Sequence, residues 1–199
     1  MKIKICGLSR REDIAYVNQA RPDWCGFVID CPKSRRNVTA AQAAALRAEL
    51  APGIVPVGVF VDRPIDQVAG LLLEGTISVA QLHGREDEGY LAALRDAAPG
   101  CVLWRAFRVR SREDLVSAAA SSADLVVLDN GAGTGQVFDW SLLKGFPRPY
   151  LLAGGLTPDN LPQAAALGPF GVDLSSGVET DGKKDEAKIL AAVAAARRV

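Results

Sequence analysis

The chain is expected to fold as an α/β protein, a single-domain (β/α)8 TIM barrel over residues 1–199. Three observations predict this. Short β-rich apolar runs alternate with alanine- and leucine-rich helical patterns from one end to the other, as parallel βαβ units require. Eight such units follow one another without a linker, a composition shift or a low-complexity tract, which favours a closed barrel over an open doubly wound sheet. The first strand also lacks the G-x-G-x-x-G turn that marks dinucleotide-binding sheets. A chain of 199 residues, 49% of them hydrophobic, can bury a full core, yet it is short for this architecture, so insertions must be few.

The strands are expected at Lys2 to Cys6, Cys25 to Asp30, Val55 to Val61, Ile77 to His83, Val102 to Phe107, Leu125 to Asp129, Tyr150 to Ala153 and Phe170 to Ser175. Helix starts can be recognised between them. Ser9 with Glu12, and Thr39 with Gln42, have capping-box spacing. Thr157-Pro158 offers an N-cap followed by proline at the first helical position. The segment Asn130-Gly-Ala-Gly-Thr-Gly135, after the sixth strand, reads as a mobile loop.

Composition narrows the function. With 23 basic and 23 acidic residues the formal charge is zero, and no basic patch suited to nucleic acid or a membrane surface emerges. Cys6, Cys25, Cys31 and Cys101 show no metal spacing, and a core this large needs no disulfide framework. The single histidine, His83, argues against a zinc or iron site. Met1-Lys-Ile-Lys-Ile-Cys6 enters a strand at once, without a signal-peptide apolar region, and no apolar run reaches membrane-spanning length. A reduced, cytoplasmic setting is expected.

The loops Leu152-Ala-Gly-Gly-Leu156 and Asp173-Leu-Ser-Ser-Gly177 each follow a short apolar strand, about one strand-helix unit apart. After the last two strands of a barrel such loops can hold a phosphoryl group, here through Gly154, Gly155, Ser175, Ser176 and Gly177. Chemistry in this fold sits at the C-terminal strand ends. Alternation along the first strand turns Lys4 and Cys6 inward if Ile3 and Ile5 face the helices. Cys6 then reads either as a small buried hydrophobe or as a base or nucleophile at the barrel mouth. Asp129, ending the sixth strand, alone suggests a turn cap; together with Cys6 it completes an acid-base pair for moving hydrogen between adjacent carbons.

Arg36, in Cys31-Pro-Lys-Ser-Arg-Arg36, has a guanidinium fork suited to a carboxylate, and Arg35 or Lys33 could play the same part. His83 suits a polar contact to substrate or a structural hydrogen bond. Inward parity also selects Gln81, Arg105 and Asp173. Because the first and eighth strands are neighbours in a closed barrel, Lys4 and Asp173 are expected to pair.

Taken in order, these motifs resemble the phosphoribosylanthranilate isomerase family along essentially the whole chain. The resemblance is carried by Lys4-Ile-Cys-Gly7, Gly26-Phe-Val with Pro32-Lys-Ser-Arg-Arg36, and Val57-Gly-Val-Phe-Val61. It continues in Gln81-Leu-His-Gly84, Gly133-Thr-Gly135 with Phe138-Asp-Trp140, Ala153-Gly-Gly-Leu156 and Val172-Asp-Leu-Ser-Ser-Gly-Val-Glu179. It implies a cofactor-free, metal-free Amadori rearrangement of a small phosphoribosyl substrate in tryptophan biosynthesis, by a monomer or homodimer. By the same resemblance Cys6 falls on the general base, Asp129 on the general acid, and Arg36 on the arginine that holds the anthranilate carboxylate. His83 and Asp173 are expected to contact substrate, and Lys4, two residues back on the same strand face, is a candidate for favouring the Cys6 thiolate. The chain departs from the family pattern at Ala132, where glycine is usual, and at Asp30 and Cys31 after the second strand. Two other readings compete: a different phosphosugar isomerase or epimerase on the same scaffold, and a phosphate-ligand binding protein without catalysis. A metal-dependent epimerase would need more ligands than one histidine provides, and the presence of both Cys6 and Asp129 weighs against the second.

Overall fold

The computed structural model describes residues 1–129 and 139–199. Its elements, in chain order, are β1 (Lys2–Cys6), α1 (Arg11–Ala20), β2 (Trp24–Ile29), β3 (Asn37–Val38), α2 (Ala40–Ala48), β4 (Val55–Phe60) and α3 (Ile65–Leu73). There follow β5 (Val79–Leu82), α4 (Glu88–Ala97), β6 (Val102–Arg108), α5 (Arg112–Ala120), β7 (Leu125–Asp129) and β8 (Tyr150–Ala153). The chain ends with α6 (Leu161–Ala165), β9 (Gly171–Leu174), β10 (Glu179–Thr180), β11 (Lys183–Lys184) and α7 (Glu186–Arg198).

β1 is hydrogen-bonded in parallel to both β2 and β9, and this closes the ring β1-β2-β4-β5-β6-β7-β8-β9. An open sheet would have left β1 or β9 at an edge. The eight ring strands are the eight expected from sequence, with shifted ends. Asp30, Val61, His83 and Ser175 lie past their strands, because at the mouth the chain leaves the ladder to form loops. β3 adds a two-residue pairing beside β2, and β10 with β11 forms an antiparallel hairpin.

Alternation divides the apolar residues into two layers. Ile3, Ile5, Phe27, Leu82, Val126, Leu128, Leu152, Val172 and Leu174 face outward, onto Ile14, Val17, Leu91, Leu94 and Ile189 of the helices. Val57, Val79, Trp104, Leu125, Val127, Leu151 and Ala153 face inward. Trp24 meets Trp104 edge-on, with ring centroids 5.2 Å apart, among these inner residues. The same parity shows that Arg105, expected inside, points outward: Trp104 and Ala106 take the inner positions and Arg105 pairs with Glu88 of α4 at 2.8 Å. The strand Val102–Arg108 carries apolar residues at both parities, so its sequence did not reveal which face was inner.

Two of the expected helix starts are displaced. α1 begins after Arg10, and the buried Asp13 carboxylate accepts from the backbone N–H groups of Ser9 and Arg10, so the Ser9/Glu12 box is replaced by Arg10 and Asp13. At the start of α6 the N-cap is Asn160 instead of Thr157; its Oδ1 accepts from Thr157 N–H at 2.9 Å, and Pro158 belongs to the preceding turn. The Thr39–Gln42 box forms as read, with reciprocal bonds of 3.2 and 2.8 Å, each such cap contributing about 1 kcal/mol. The glycine-rich segment 130–135 lies outside the described residues. Among the described residues no helix is long and apolar enough to cross a membrane.

Candidate active site

The inward positions above the apolar layer border a cavity of about 210 Å³ at the C-terminal mouth. Cys6, Arg36, His83, Asp129, Gly154, Gly155, Asp173, Ser175 and Ser176 line it, with Val28, Val59, Gln81, Ala153 and Leu156. Every site residue expected from sequence is therefore on this wall except Gly177. A Cβ at Gly177 would stand 1.8 Å from the Leu156 carbonyl oxygen, so this glycine lets the loops after β8 and β9 touch.

Lys4 is wholly buried one turn of the pleat below Cys6, and its ammonium donates to Asp173 Oδ2 at 2.9 Å, the pairing expected from parity. β1 sets Lys4 directly opposite Asp173 on β9. On its other side β2 contributes Gly26, where a Cβ would lie 2.8 Å from Cys6 Sγ and 3.0 Å from Lys4 Nζ. Burial works against the Lys4 charge, but Asp173 and Cys6 outweigh it and hold the ammonium above its ordinary range. For Cys6 the balance runs the other way. Burial pushes the thiol up, Lys4 pulls it down and Asp173 pushes it up again, leaving it raised. Lys4 acts in the expected direction, since its charge and its hydrogen bond both favour the thiolate, but burial is the larger effect and the net shift of the thiol is upward.

Across the mouth, Asp129 ends β7 on the same parity as Leu125 and Val127, and His83 Nε2 stands 3.6 Å from its Oδ2. His83 is held through its backbone N–H, which donates to Phe60 O at 2.8 Å. The imidazole itself remains 35% exposed. Arg108 lies opposite Asp129 in the β6–β7 register, a rim position that the sequence reading did not select.

Arg36 crosses Gly7, whose φ is +82° and whose added Cβ would lie 2.3 Å from Arg36 Cδ; glycine after Cys6 thus serves both the turn and the arginine. Its Nε and Nη2 donate to Oε1 and Oε2 of Glu179 at 2.6 and 2.9 Å. Arg35 also reaches Glu179 but is 57% exposed and does not border the cavity, and Lys33 is exposed as well, so geometry selects Arg36 among the three.

Glu179 in turn takes Lys184 Nζ at 2.7 Å, and Lys184 donates to the Ser175 carbonyl at 2.9 Å. Burial would raise the Glu179 carboxyl, yet Arg36 and Lys184 hold it below the usual range. Burial dominates at Lys184 and lowers its ammonium despite Glu179. Sequence reasoning missed both partners, though a signal existed. Asp181-Gly182, with φ of +51° and +75°, forms a tight hairpin turn that sets Glu179 opposite Lys184.

On the rim formed by the loops after β8 and β9, Gly154 and Gly155 both have positive φ, 88° and 68°, which turns the chain sharply after β8. Ser175 donates its hydroxyl to the Cys6 carbonyl at 3.0 Å, tying this rim to the strand that carries the thiol. Among the described residues no group of three His, Cys, Asp or Glu side chains is placed to hold a metal ion.

The family model described as N-(5'-phosphoribosyl)anthranilate (PRA) isomerase matches residues 3–195. An N-(5'-phosphoribosyl)anthranilate isomerase of Endomicrobium trichonymphae is 44% identical over 198 residues, covering 96% of each chain. A crystal structure of phosphoribosyl anthranilate isomerase from Thermus thermophilus superposes with a TM-score of 0.88 at 33% identity, covering 100% of this chain and 99% of that one. Another phosphoribosyl anthranilate isomerase structure, a complex with reduced 1-(o-carboxyphenylamino)-1-deoxyribulose 5-phosphate, gives 0.87 at 29% identity over 100% of both chains. This chain belongs to the N-(5'-phosphoribosyl)anthranilate isomerase family.

Proposed function

We propose that the chain isomerises N-(5′-phosphoribosyl)anthranilate to 1-(2-carboxyphenylamino)-1-deoxyribulose 5-phosphate in tryptophan biosynthesis, with Cys6 as general base and Asp129 as general acid. The observation that carries this reading is the meeting of Cys6, Asp129, Arg36 and the glycine-serine rim in one cavity of about 210 Å³. Gly154, Gly155, Ser175 and Ser176 take the phosphate, aided by Gly177 behind them, and Arg36 takes the anthranilate carboxylate. The ribosyl group then spans the mouth between thiol and carboxyl, with His83 and Asp173 on its flanks.

Asp129 gives its proton to the furanose ring oxygen as the C1′–O bond breaks and the anilino nitrogen lone pair forms C1′=N. Cys6, as thiolate, removes the C2′ proton. The C–H electron pair becomes C1′=C2′, the iminium pair returns to nitrogen, and an enolamine results. Transfer of a proton to C1′, with loss of the 2′-hydroxyl proton, gives the ketone. Cys6 releases its proton and Asp129 regains one, so the reaction balances with no net oxidation. Burial pushes the Cys6 thiol up and Lys4 pulls it down, so the cation beside the sulfur favours the thiolate that this step uses.

The test is turnover of freshly generated phosphoribosylanthranilate, followed by fluorescence, with the ketone product identified by mass and carbonyl NMR signal. Product formation supports the reading. Intact phosphate-ligand binding without turnover would move the chain to a different sugar phosphate or to a binding role.

A further inference from the structure

Glu179 joins three cations that belong to different parts of the mouth: Arg35 and Arg36 from the loop after β2, and Lys184 from the hairpin after β9. Its carboxylate is 4% exposed, and the Lys184 side chain only 1%. The contact with Arg36 occupies one edge of the guanidinium, Nε with Nη2. A guanidinium has five N–H donors. Among the described residues nothing takes the edge formed by Nη1 and the second Nη2 hydrogen, which can meet a ligand carboxylate with two parallel bonds on a side chain that borders the cavity.

We propose that Glu179 is a positioning residue that clamps the side edge of Arg36, so that the arginine meets the ligand carboxylate end-on, and that Lys184 links this clamp to the phosphate rim. The inference rests on the assignment of Arg36 to the ligand carboxylate. Lys184 holds Glu179 Oε1 and the Ser175 carbonyl at once, and the Ser175 hydroxyl reaches the Cys6 carbonyl. One largely buried to half-buried chain of contacts therefore sets the spacing between carboxylate grip, phosphate rim and thiol-bearing strand. A ligand that has a carboxylate and a phosphate at the matching separation is selected by that spacing.

A double-mutant cycle between Glu179→Gln and Arg36→Met tests this, because residues acting through one another are non-additive. Glu179→Gln alone is expected to raise KM about tenfold or more with kcat changed less than about threefold, the pattern of lost binding as opposed to lost chemistry. Inhibition by inorganic phosphate should stay within about twofold, because Lys184 keeps its contact with the Ser175 carbonyl and only the spacing to Arg36 is released. In the Arg36→Met background the same change should add almost nothing. Additive effects, or a fall in kcat at unchanged KM, overturn the proposal. Should Glu179→Gln fail to fold, Glu179→Asp keeps the charge and shortens its reach: a KM between those of the wild type and Arg36→Met supports the clamp and a wild-type KM overturns it. Wild-type turnover is measured first, and its absence would count against the proposed reaction alone. The clamp is then read from the Arg36 Nε–H NMR signal, which should be protected from exchange in the wild type and lost in Glu179→Gln; a signal unchanged between the two overturns it.

Discussion

The two sides of the cavity are built differently. The arc β9–β1–β2 carries Cys6 within a lattice of buried charge, Lys4 with Asp173 and Arg36 with Glu179 and Lys184, in which the Lys4 and Lys184 side chains are at most 1% exposed. The arc β5–β7 is the more open of the two among the described residues: there Asp129 has His83 3.6 Å away, with that side chain 35% exposed. On the proposed assignment, proton abstraction from carbon needs a base fixed against one C–H bond, which matches the rigid arc with its buried ion pairs. Ring opening would then need an acid able to follow a ring oxygen that moves away, which matches the open arc. The lesson is that preorganisation is spent unevenly, on the step with the stricter geometry.

The largest expected effects test each arc directly. Cys6→Ser and Asp129→Asn should each lower kcat by a factor of about 10² or more, the scale of a lost proton-transfer group. Equal activity in either variant would remove that residue from the mechanism. Next comes the lattice under Cys6. Lys4→Met leaves Asp173 charged and unpaired, and Asp173 Oδ1 already has no hydrogen-bond partner among the described residues, so thermal or denaturant unfolding should show a loss of about 3–5 kcal/mol. Lys4→Met with Asp173→Asn should recover much of it; no recovery would mean that the pair is not the cause.

The same pair has a signature in pH. The Cys6 thiol is raised above its ordinary 9.0, and a reaction that needs a thiolate and a carboxylic acid together should give a bell-shaped kcat/KM profile whose alkaline limb follows the thiol pKa. Lys4 pulls that pKa down. Folded Lys4→Met should therefore show its alkaline limb at higher pH and a lower plateau, and a limb displaced downward would reverse the assigned sign. On the open arc, His83→Asn should cost roughly tenfold in kcat/KM, well below the loss of the acid itself. A loss as large as that of Asp129→Asn would make His83 a proton-transfer group.

The smallest effect lies behind the open arc. Glu88 bridges Arg105, Ser121 and Ser122 on the helix side of the barrel. Burial would raise its carboxyl, but the hydrogen bonds from Ser122 and Ser121 and the charge of Arg105 hold it at about 2 against an ordinary 4.5. A depressed carboxyl contributes stability above the unfolded pKa and loses it as the pH falls through the folded one. Glu88 is 48% exposed, so Glu88→Gln should cost less than about 1 kcal/mol at neutral pH. The wild-type and variant stabilities should converge between pH 4.5 and 2, the span of that shift.

Much of the rigid arc was legible in the sequence. Alternation along Lys2–Cys6, with closure of the barrel, was enough to pair Lys4 with Asp173 across a separation of 169 residues. Periodicity placed all eight ring strands. It failed where both parities are apolar, and so Arg105 was turned the wrong way. Local cap chemistry misled at Ser9 and Thr157, whose own N–H groups are taken by the side chains of Asp13 and Asn160, a few residues on. Glu179 and Lys184 were missed because their role depends on a hairpin folding back onto a loop that is distant in sequence. The net rise of the Cys6 thiol depends on burial at 9% exposure, which residue spacing does not report.

The most direct test of the division between the arcs is the kinetic isotope effect with substrate deuterated at C2′. In Cys6→Ser the C–H step becomes limiting, and a large primary effect on kcat is predicted. In Asp129→Asn ring opening becomes limiting, and the effect should collapse toward unity. Equal isotope effects in the two variants, or the reverse order, would contradict the assignment of base to the rigid arc and acid to the open one.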